Sequence, residues 1–112
     1  MKFKNMAVGT VAQGLANLDV VVEWTPGSAR YALTLYVNGQ PTKGPRYYRT
    51  RREPLDYNPP VAVLNQAVYV GLWNAGEEAP RLARTLAGFG HFEWFSPAEI
   101  SREERVKYGA DA

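Results

Sequence analysis

The sequence contains no cysteine and a single histidine, and these two shortages exclude much of the common catalytic chemistry. Without cysteine there is no disulfide, no thiolate nucleophile and no cysteine-based zinc or iron–sulfur site. His91 has Glu93 two residues away, but one histidine with one nearby carboxylate provides too few ligands for a zinc site. We therefore expect this protein to use neither a metal nor another cofactor.

Motifs for nucleophilic or phosphate chemistry are also missing. Ser28 belongs to a predicted turn and Ser96 to a predicted helix cap, and neither lies in a nucleophile elbow. The ten glycines never fall into the GxGxxG or GxxxxGK[ST] spacing that holds phosphate groups. Adjacent glutamates occur twice, but neighbouring side chains on a helix point away from each other and do not form an acid–base pair. The sequence therefore predicts a protein that is not an enzyme.

The sequence has no long apolar run. None approaches the roughly 18 residues that a membrane-spanning helix needs. Near the N-terminus, Gln13, Asn17 and Asp19 interrupt the small apolar residues that a secretory signal would require. A chain of 112 residues with 46% hydrophobic content has the usual size and composition of one compact domain. We expect a soluble, cytoplasmic protein with a single domain over residues 1–112.

The charge is mildly basic and dominated by arginine. The formal net charge is +2, and nine of the thirteen basic residues are arginine. Arginine binds phosphate oxygens and stacks on aromatic rings better than lysine does, which would favour an anionic partner. A GC-rich genome would enrich arginine equally well. The composition leaves both explanations open.

Residues 18–38 predict a β-hairpin whose turn is Thr25-Pro26-Gly27-Ser28, because Pro26 presets the first central position and Gly27 supplies the positive φ of a type II turn. A register in which Thr25 faces Ser28 gives both strands the same apolar face. That face carries Val20, Val22, Trp24, Ala29, Tyr31 and Leu33, and the other carries Asp19, Val21, Glu23, Arg30, Ala32 and Thr34. Glu23 would then lie opposite Arg30 as a cross-strand charge pair.

A second hairpin follows at Asn38-Gly39, the residue pair that favours a type I′ turn. Its partner strand would span residues 40–51, at an edge or with irregular pairing, because Pro41 and Pro45 cannot donate to a ladder. In the simplest register one face of the sheet is polar and aromatic. It would carry Arg30, Thr34, Tyr36, Lys43, Tyr47, Arg49 and Arg51.

The remaining chain predicts a strand over residues 2–12 and a helix over 59–74, with Asn58 as its N-cap and Pro59 in its first turn. The apolar stripe of this helix is Val61, Leu64, Val68 and Leu72, although residues 67–73 could also form a strand. Because the helix is apolar all round, it must be covered on more than one side. A homodimer through residues 59–74 or through the aromatic segment 89–95 would cover it.

Further helices are expected over residues 77–90 and from 96 toward 109, with a short strand over 91–95 between them. Two adjacent aromatics cannot both point inward from one strand, so Trp94 or Phe95 should meet a helix, a subunit or a partner. The fold class is therefore α+β: an antiparallel three- or four-stranded meander followed by two or three helices packed on one face.

The segment RYYRTRR, residues 46–52, carries the clearest functional signal. Single-stranded nucleic acids are bound by cations that follow the phosphates and by aromatic rings that stack on the bases. We expect this basic, tyrosine-bearing sheet face to bind single-stranded nucleic acid with little sequence preference. The predicted site comprises Arg30, Tyr36, Lys43, Arg46, Tyr47, Arg49, Arg51 and Arg52.

Two other interpretations of this segment remain open. Arginine and tyrosine also suit the exposed face of an edge strand, where charge prevents aggregation. The same surface could also contact an acidic protein, as in a small non-enzymatic inhibitor or adaptor, for example a viral one. Aromatic residues and arginine are enriched at the centres of protein interfaces, and residues 89–95 contain four aromatics.

Overall fold

The structure, a computed structural model, describes residues 5–13, 16–41, 47–75, 81 and 92–95. The described residues form six strands and a long helix. They are β1 (Asn5–Gln13), β2 (Ala16–Trp24), β3 (Arg30–Val37), β4 (Gln40–Pro41), β5 (Tyr47–Thr50), α1 (Val61–Ala75) and β6 (Glu93–Phe95). The antiparallel strands follow the order β4-β3-β2-β1-β6, and β5 pairs with β3 beside β4. The α+β class is confirmed, and the sheet has more strands than the sequence predicted.

The helical part of the prediction is tested over α1 alone. Arg81 is helical, but the rest of the segments expected to form helices over residues 77–90 and 96–109 lies outside the described residues. Within the described ranges, no helix is long and apolar enough to cross a membrane.

The turn between β2 and β3 is confirmed. The Ser28 amide donates to the Thr25 carbonyl at 2.9 Å, and Gly27 has a φ of 85°, as the second central residue of a type II turn requires. The Ser28 side chain then accepts a hydrogen bond from the Arg30 amide at 3.2 Å. The Ala29 carbonyl accepts a hydrogen bond from the Arg51 amide. Residues 28 and 29 are not part of the ladder between β2 and β3, which begins with Trp24 and Tyr31.

The predicted register between β2 and β3 is consequently wrong by two residues. Trp24 pairs with Tyr31, and Glu23 pairs with Ala32 rather than with Arg30. A shift of two keeps each residue on its predicted face. The assignment of the apolar face to Trp24 and Tyr31 therefore survives, whereas the pairing of Glu23 with Arg30 does not.

The turn between β3 and β4 is also confirmed, since Asn38 and Gly39 have φ values of 52° and 81°, both positive as in a type I′ turn. The register then changes before β5. Continuing the pairing of Val37 with Gln40 would place residue 44 opposite Leu33, but Leu33 pairs with Tyr47, three positions further along. An odd shift exchanges the two faces of a strand.

One face of the sheet packs against α1 and forms the main core. The buried part of α1 comprises Leu64, Ala67, Val68, Gly71 and Leu72. The Tyr31 hydroxyl donates to the Ala67 carbonyl at 3.0 Å, which ties β3 to the helix. At Gly71 an added Cβ would lie 2.0 Å from Leu33 Cδ1, so glycine permits the close approach of helix and sheet.

The helix begins slightly later than predicted. The Pro60 carbonyl accepts hydrogen bonds from the amides of Val63 and Leu64, which makes Pro60 the N-cap. Asn58 is therefore not the cap, and Pro59 precedes the first turn. Val61, expected on the buried stripe, is 54% exposed although helical spacing places it on the same side as Leu64 and Leu72; it is the first residue of α1.

The second face of the sheet is buried too. Its apolar cluster comprises Met6, Val8, Val21 and Tyr36, and the neighbouring Glu23, Ala32 and Thr34 are also buried. The prediction of an exposed polar face here is therefore wrong. The sequence carried a signal of this, because β1, β2 and β3 have apolar residues at both odd- and even-numbered positions. This pattern is typical of strands that are covered on both faces of the sheet.

Candidate functional site

The structure describes six of the eight residues of the predicted nucleic-acid site. Lys43 and Arg46 lie outside the described residues. Tyr36 is only 6% exposed, so its ring cannot stack on a base at the sheet surface as predicted. Pairing places Tyr47 opposite Leu33 and Arg49 opposite Tyr31, at register positions of the face that packs against α1.

Three arginines of the predicted site are described with their side chains. Arg30 and Arg52 are exposed, and Arg51 is half-buried. Arg30 starts β3 on the second face, whereas Arg51 and Arg52 follow β5 and approach α1. The predicted continuous surface on one side of the sheet is therefore wrong, because the change of register before β5 exchanges the faces.

The segment from Arg51 to Pro60 crosses the end of the sheet and is fixed there by backbone acceptors. Trp24 donates its indole N–H to the Asp56 carbonyl at 2.8 Å, and the Asn5 side-chain amide donates to the Tyr57 carbonyl at 2.7 Å. The Leu55 side chain is buried in the main core, and its carbonyl accepts from the Gly27 amide. These contacts hold the middle of the segment, residues 55–57, against the end of the sheet.

A cleft of about 390 Å³ lies between this segment and one flank of α1. One wall consists of Arg51, Arg52 and Glu53, and the buried Tyr31 also lines the cleft. The wall on the helix side consists of Gln66, Val70 and Asn74, which are four residues apart and therefore share one row of the helix. Sequence reasoning found the two arginines but not the amide side chains that face them.

Among the described residues that line the cleft, the charged ones all belong to the arginine wall. α1 has no charged residue between Val61 and Ala75, so its wall offers amide groups and an apolar side chain. Arg51 Nε donates to the Glu53 carbonyl at 3.3 Å, and the Arg51 side chain lines the cleft. Two arginines and one glutamate give the lining a formal charge of +1.

Next to the cleft, the outer face of α1 exposes large apolar side chains. We define this outer face as Tyr69, Val70 and Trp73, each at least 40% exposed. Tyr69 is 40% exposed and Trp73 62%, and their rings stack with centroids 6.1 Å apart. Val70 belongs to both the outer face and the cleft, so the two form one continuous surface. The prediction that α1 is apolar outside its buried stripe is confirmed at Val70 and Trp73.

The aromatic segment near the end of the chain is used mainly for packing where it is described. Phe92 is buried in the main core, and Trp94 packs against the same core while donating to Asn65 on α1. The expectation that Trp94 or Phe95 meets a helix is therefore confirmed by Trp94. Glu93 is exposed, and His91 lies outside the described residues. No cluster of three metal-ligating side chains occurs among the residues that the structure describes.

This surface, with an arginine cleft on one side and stacked aromatics on the other, can contact a partner that is partly apolar and partly anionic. The comparisons with known proteins point to no relative: the chain matches no family model, no curated protein and no solved structure.

Proposed function

We propose that this protein is a non-enzymatic protein-binding module that docks a segment of a partner protein on the outer face of α1 and in the adjacent cleft. The observation that carries the proposal is the exposed stacked pair Tyr69 and Trp73 beside Arg51 and Arg52. Trp, Tyr and Arg are the residue types that contribute most of the binding energy in protein interfaces.

The chemistry of the surface defines the partner. A helix that is apolar on its outer side leaves a patch that is favourable to cover, and contiguous exposed apolar patches commonly mark interaction sites. Because α1 has no charge, the electrostatic preference of the described surface comes from the arginine wall. The fitting partner is therefore a segment with apolar side chains for Tyr69 and Trp73 and an acidic group for the arginines.

Binding of single-stranded nucleic acid is a second candidate, and the exposure of Arg30 and Arg52 favours it. Stacking on the bases would have to come from Tyr69 and Trp73, because Tyr36 is buried. These rings stack on each other, and α1 provides no cation to follow a phosphate backbone. The protein-binding proposal therefore accounts for more of the surface.

A peptide-display selection tests the proposal. The wild-type protein is the bait, and a Tyr69→Ser/Trp73→Ser variant removes peptides that bind elsewhere. We expect enriched peptides with an aromatic or aliphatic residue close to Asp or Glu, and calorimetry should show that Trp73→Ser weakens them at least about tenfold. Tyr57→Ser is the matched control, because Tyr57 is 72% exposed and lies outside the surface. Peptides that bind the double variant as tightly as the wild type would refute the proposal.

Two parallel measurements separate the alternatives. Anisotropy of a labelled single-stranded oligonucleotide should show no binding at near-physiological salt. Salt-sensitive binding that Arg51→Gln/Arg52→Gln abolishes would establish the nucleic-acid candidate instead. Light scattering tests the homodimer expected from the sequence: a dimeric mass that Trp73→Ser makes monomeric would mean that a second copy occupies the outer face.

A cytoplasmic location also belongs to this proposal. Cell fractionation with an antibody against the protein tests it, and recovery of the protein in a membrane or secreted fraction would exclude it.

A further inference from the structure

We infer that the cleft between Arg51 and α1 is a carboxylate site that receives the side chain of one acidic residue of the bound partner segment. The inference deepens the proposed function and rests on it for the source of the carboxylate. The binding of the carboxylate itself is a property of the cleft and can be measured without the partner.

The arginine wall provides the first element of the site. Arg51 is half-buried, and its Nε is already engaged by the Glu53 carbonyl at 3.3 Å. This contact orients the guanidinium before a ligand arrives, so that less side-chain entropy is lost on binding. The terminal nitrogens can then donate two parallel hydrogen bonds to one carboxylate, the geometry in which arginine binds this group most strongly.

The helix wall provides the second element. Gln66 and Asn74 carry amide groups that can donate to a carboxylate oxygen, and Val70 between them offers an apolar contact for the methylene groups of an acidic side chain. The cleft thus combines several donors with an apolar patch of the size of a side chain.

The charge of the lining selects the ligand. Two arginines against one glutamate leave a formal charge of +1, which a monoanionic carboxylate neutralises. A phosphate dianion would leave an excess negative charge next to the Glu53 carboxylate. The volume of about 390 Å³ lies at the small end of ligand sites, and it suits an amino-acid side chain rather than a large cofactor.

The cleft and the outer face of α1 form one continuous surface, and this continuity indicates which group enters the cleft. Val70 lines the cleft and also belongs to the outer face that carries Tyr69 and Trp73. A peptide lying along the outer face would therefore pass the mouth of the cleft. An acidic residue next to its apolar anchor would be placed opposite Arg51.

The test is an NMR titration of the ¹⁵N-labelled full chain with N-acetyl-glutamate methylamide. The neutral glutamine analogue and inorganic phosphate serve as comparison probes. We expect saturable shifts of the Arg51 Nε–H and of the side-chain amides of Gln66 and Asn74, with millimolar affinity. The glutamine analogue should bind at least about tenfold more weakly, because it loses the charge-assisted hydrogen bonds.

Variants locate the site. Arg51→Lys keeps the charge but loses the planar fork, and should weaken the glutamate probe. Asn74→Asp keeps the side-chain shape and adds a negative charge in the cleft, and should weaken it as well. Arg30→Gln is the matched control and should leave the affinity unchanged, since Arg30 is exposed outside the cleft. The backbone spectrum of each variant away from the cleft reports whether the fold is intact.

Three outcomes would overturn the inference: equal binding of the glutamate and glutamine probes, tighter binding of inorganic phosphate, or shifts that Arg51→Lys leaves unchanged. The titration also separates this inference from the proposed function. If selected peptides bind the outer face but the glutamate probe does not bind in the cleft, the inference is refuted and the proposed function is not. A probe that binds the cleft while no peptide is selected would refute the proposed function alone.

Discussion

The indole N–H of Trp94 donates a 2.7 Å hydrogen bond to the side-chain oxygen of Asn65. The bond joins β6, a three-residue edge strand, to α1 on the face of the sheet that carries the main core. Gly9 lies under the same ring, since a Cβ added there would be 3.1 Å from the Trp94 side chain. β6 pairs with β1 over only three residues. It is anchored to α1 by the Trp94 side chain, which passes over Gly9 of β1.

Asn65→Ala should therefore lower the free energy of unfolding by about 1 to 2 kcal/mol, because the partly buried indole N–H loses its acceptor. Urea unfolding followed by tryptophan fluorescence measures the effect. Asn74→Ala, at an exposed position of the same helix, is the control and should change stability by less than about 0.5 kcal/mol. Equal effects of the two substitutions would show that the bond contributes nothing.

Gly71→Ala should destabilise the protein although alanine is the better helix former by about 1 kcal/mol. The new Cβ would lie 2.0 Å from Leu33 Cδ1 in a fully packed core, and such overpacking costs about 1 to 3 kcal/mol. In a Leu33→Ala background the obstructing atom is absent, and Gly71→Ala should then be neutral or stabilising. A double-mutant cycle by urea unfolding measures this change of sign, and additive effects would contradict it.

The neighbours Leu72 and Trp73 should respond very differently to truncation. Leu72 is fully buried, so Leu72→Ala should cost about 2 to 5 kcal/mol. Trp73 is 62% exposed, and Trp73→Ala should change stability by less than about 1 kcal/mol despite the larger side chain removed. Thermal unfolding compares them, and a large loss at Trp73 would mean that the outer face is structural rather than available to a partner.

Gly39→Ala should cost about 1 kcal/mol even though nothing lies within 4 Å of the added Cβ. The cost is conformational, because the φ of 81° is unfavourable for any residue with a side chain. Asn38→Gly is the control, since Asn38 also has a positive φ and glycine adopts it readily. Equal destabilisation at both positions, measured by urea unfolding, would argue against backbone strain as the cause.

Local chemistry made much of the fold predictable. Pro26-Gly27 and Asn38-Gly39 specified two turns, and the apolar periodicity after Pro60 specified α1. The register could not be predicted, because it depends on contacts distant in sequence. The Arg51 amide binds the Ala29 carbonyl, so the pairing with β5 already starts at Ala29, and nothing in the sequence around Ala29 indicates this bond.

The sequence predicted the types of residue in the candidate site but not their positions in the fold. The sequence singled out Arg51 and Arg52, but it placed them with Tyr36 on an open sheet face. The shift of three positions between β4 and β5 pairs Tyr47 with Leu33 and Arg49 with Tyr31, and the burial of Tyr36 removes it from the proposed stacking surface. Gln66 and Asn74 could be recognised as partners of the arginines only once α1 was placed beside them.

The pairing of β1 with β6 has a consequence for the order of folding. The hairpins β1–β2 and β2–β3 join neighbours in sequence and can form early, whereas Gly9 meets Trp94 only after most of the chain has been brought together. Closure of this edge should therefore follow the folding transition state. Substitutions at Trp94 would then accelerate unfolding and leave the refolding rate nearly unchanged, so this edge governs how long the native state lasts rather than how quickly it forms.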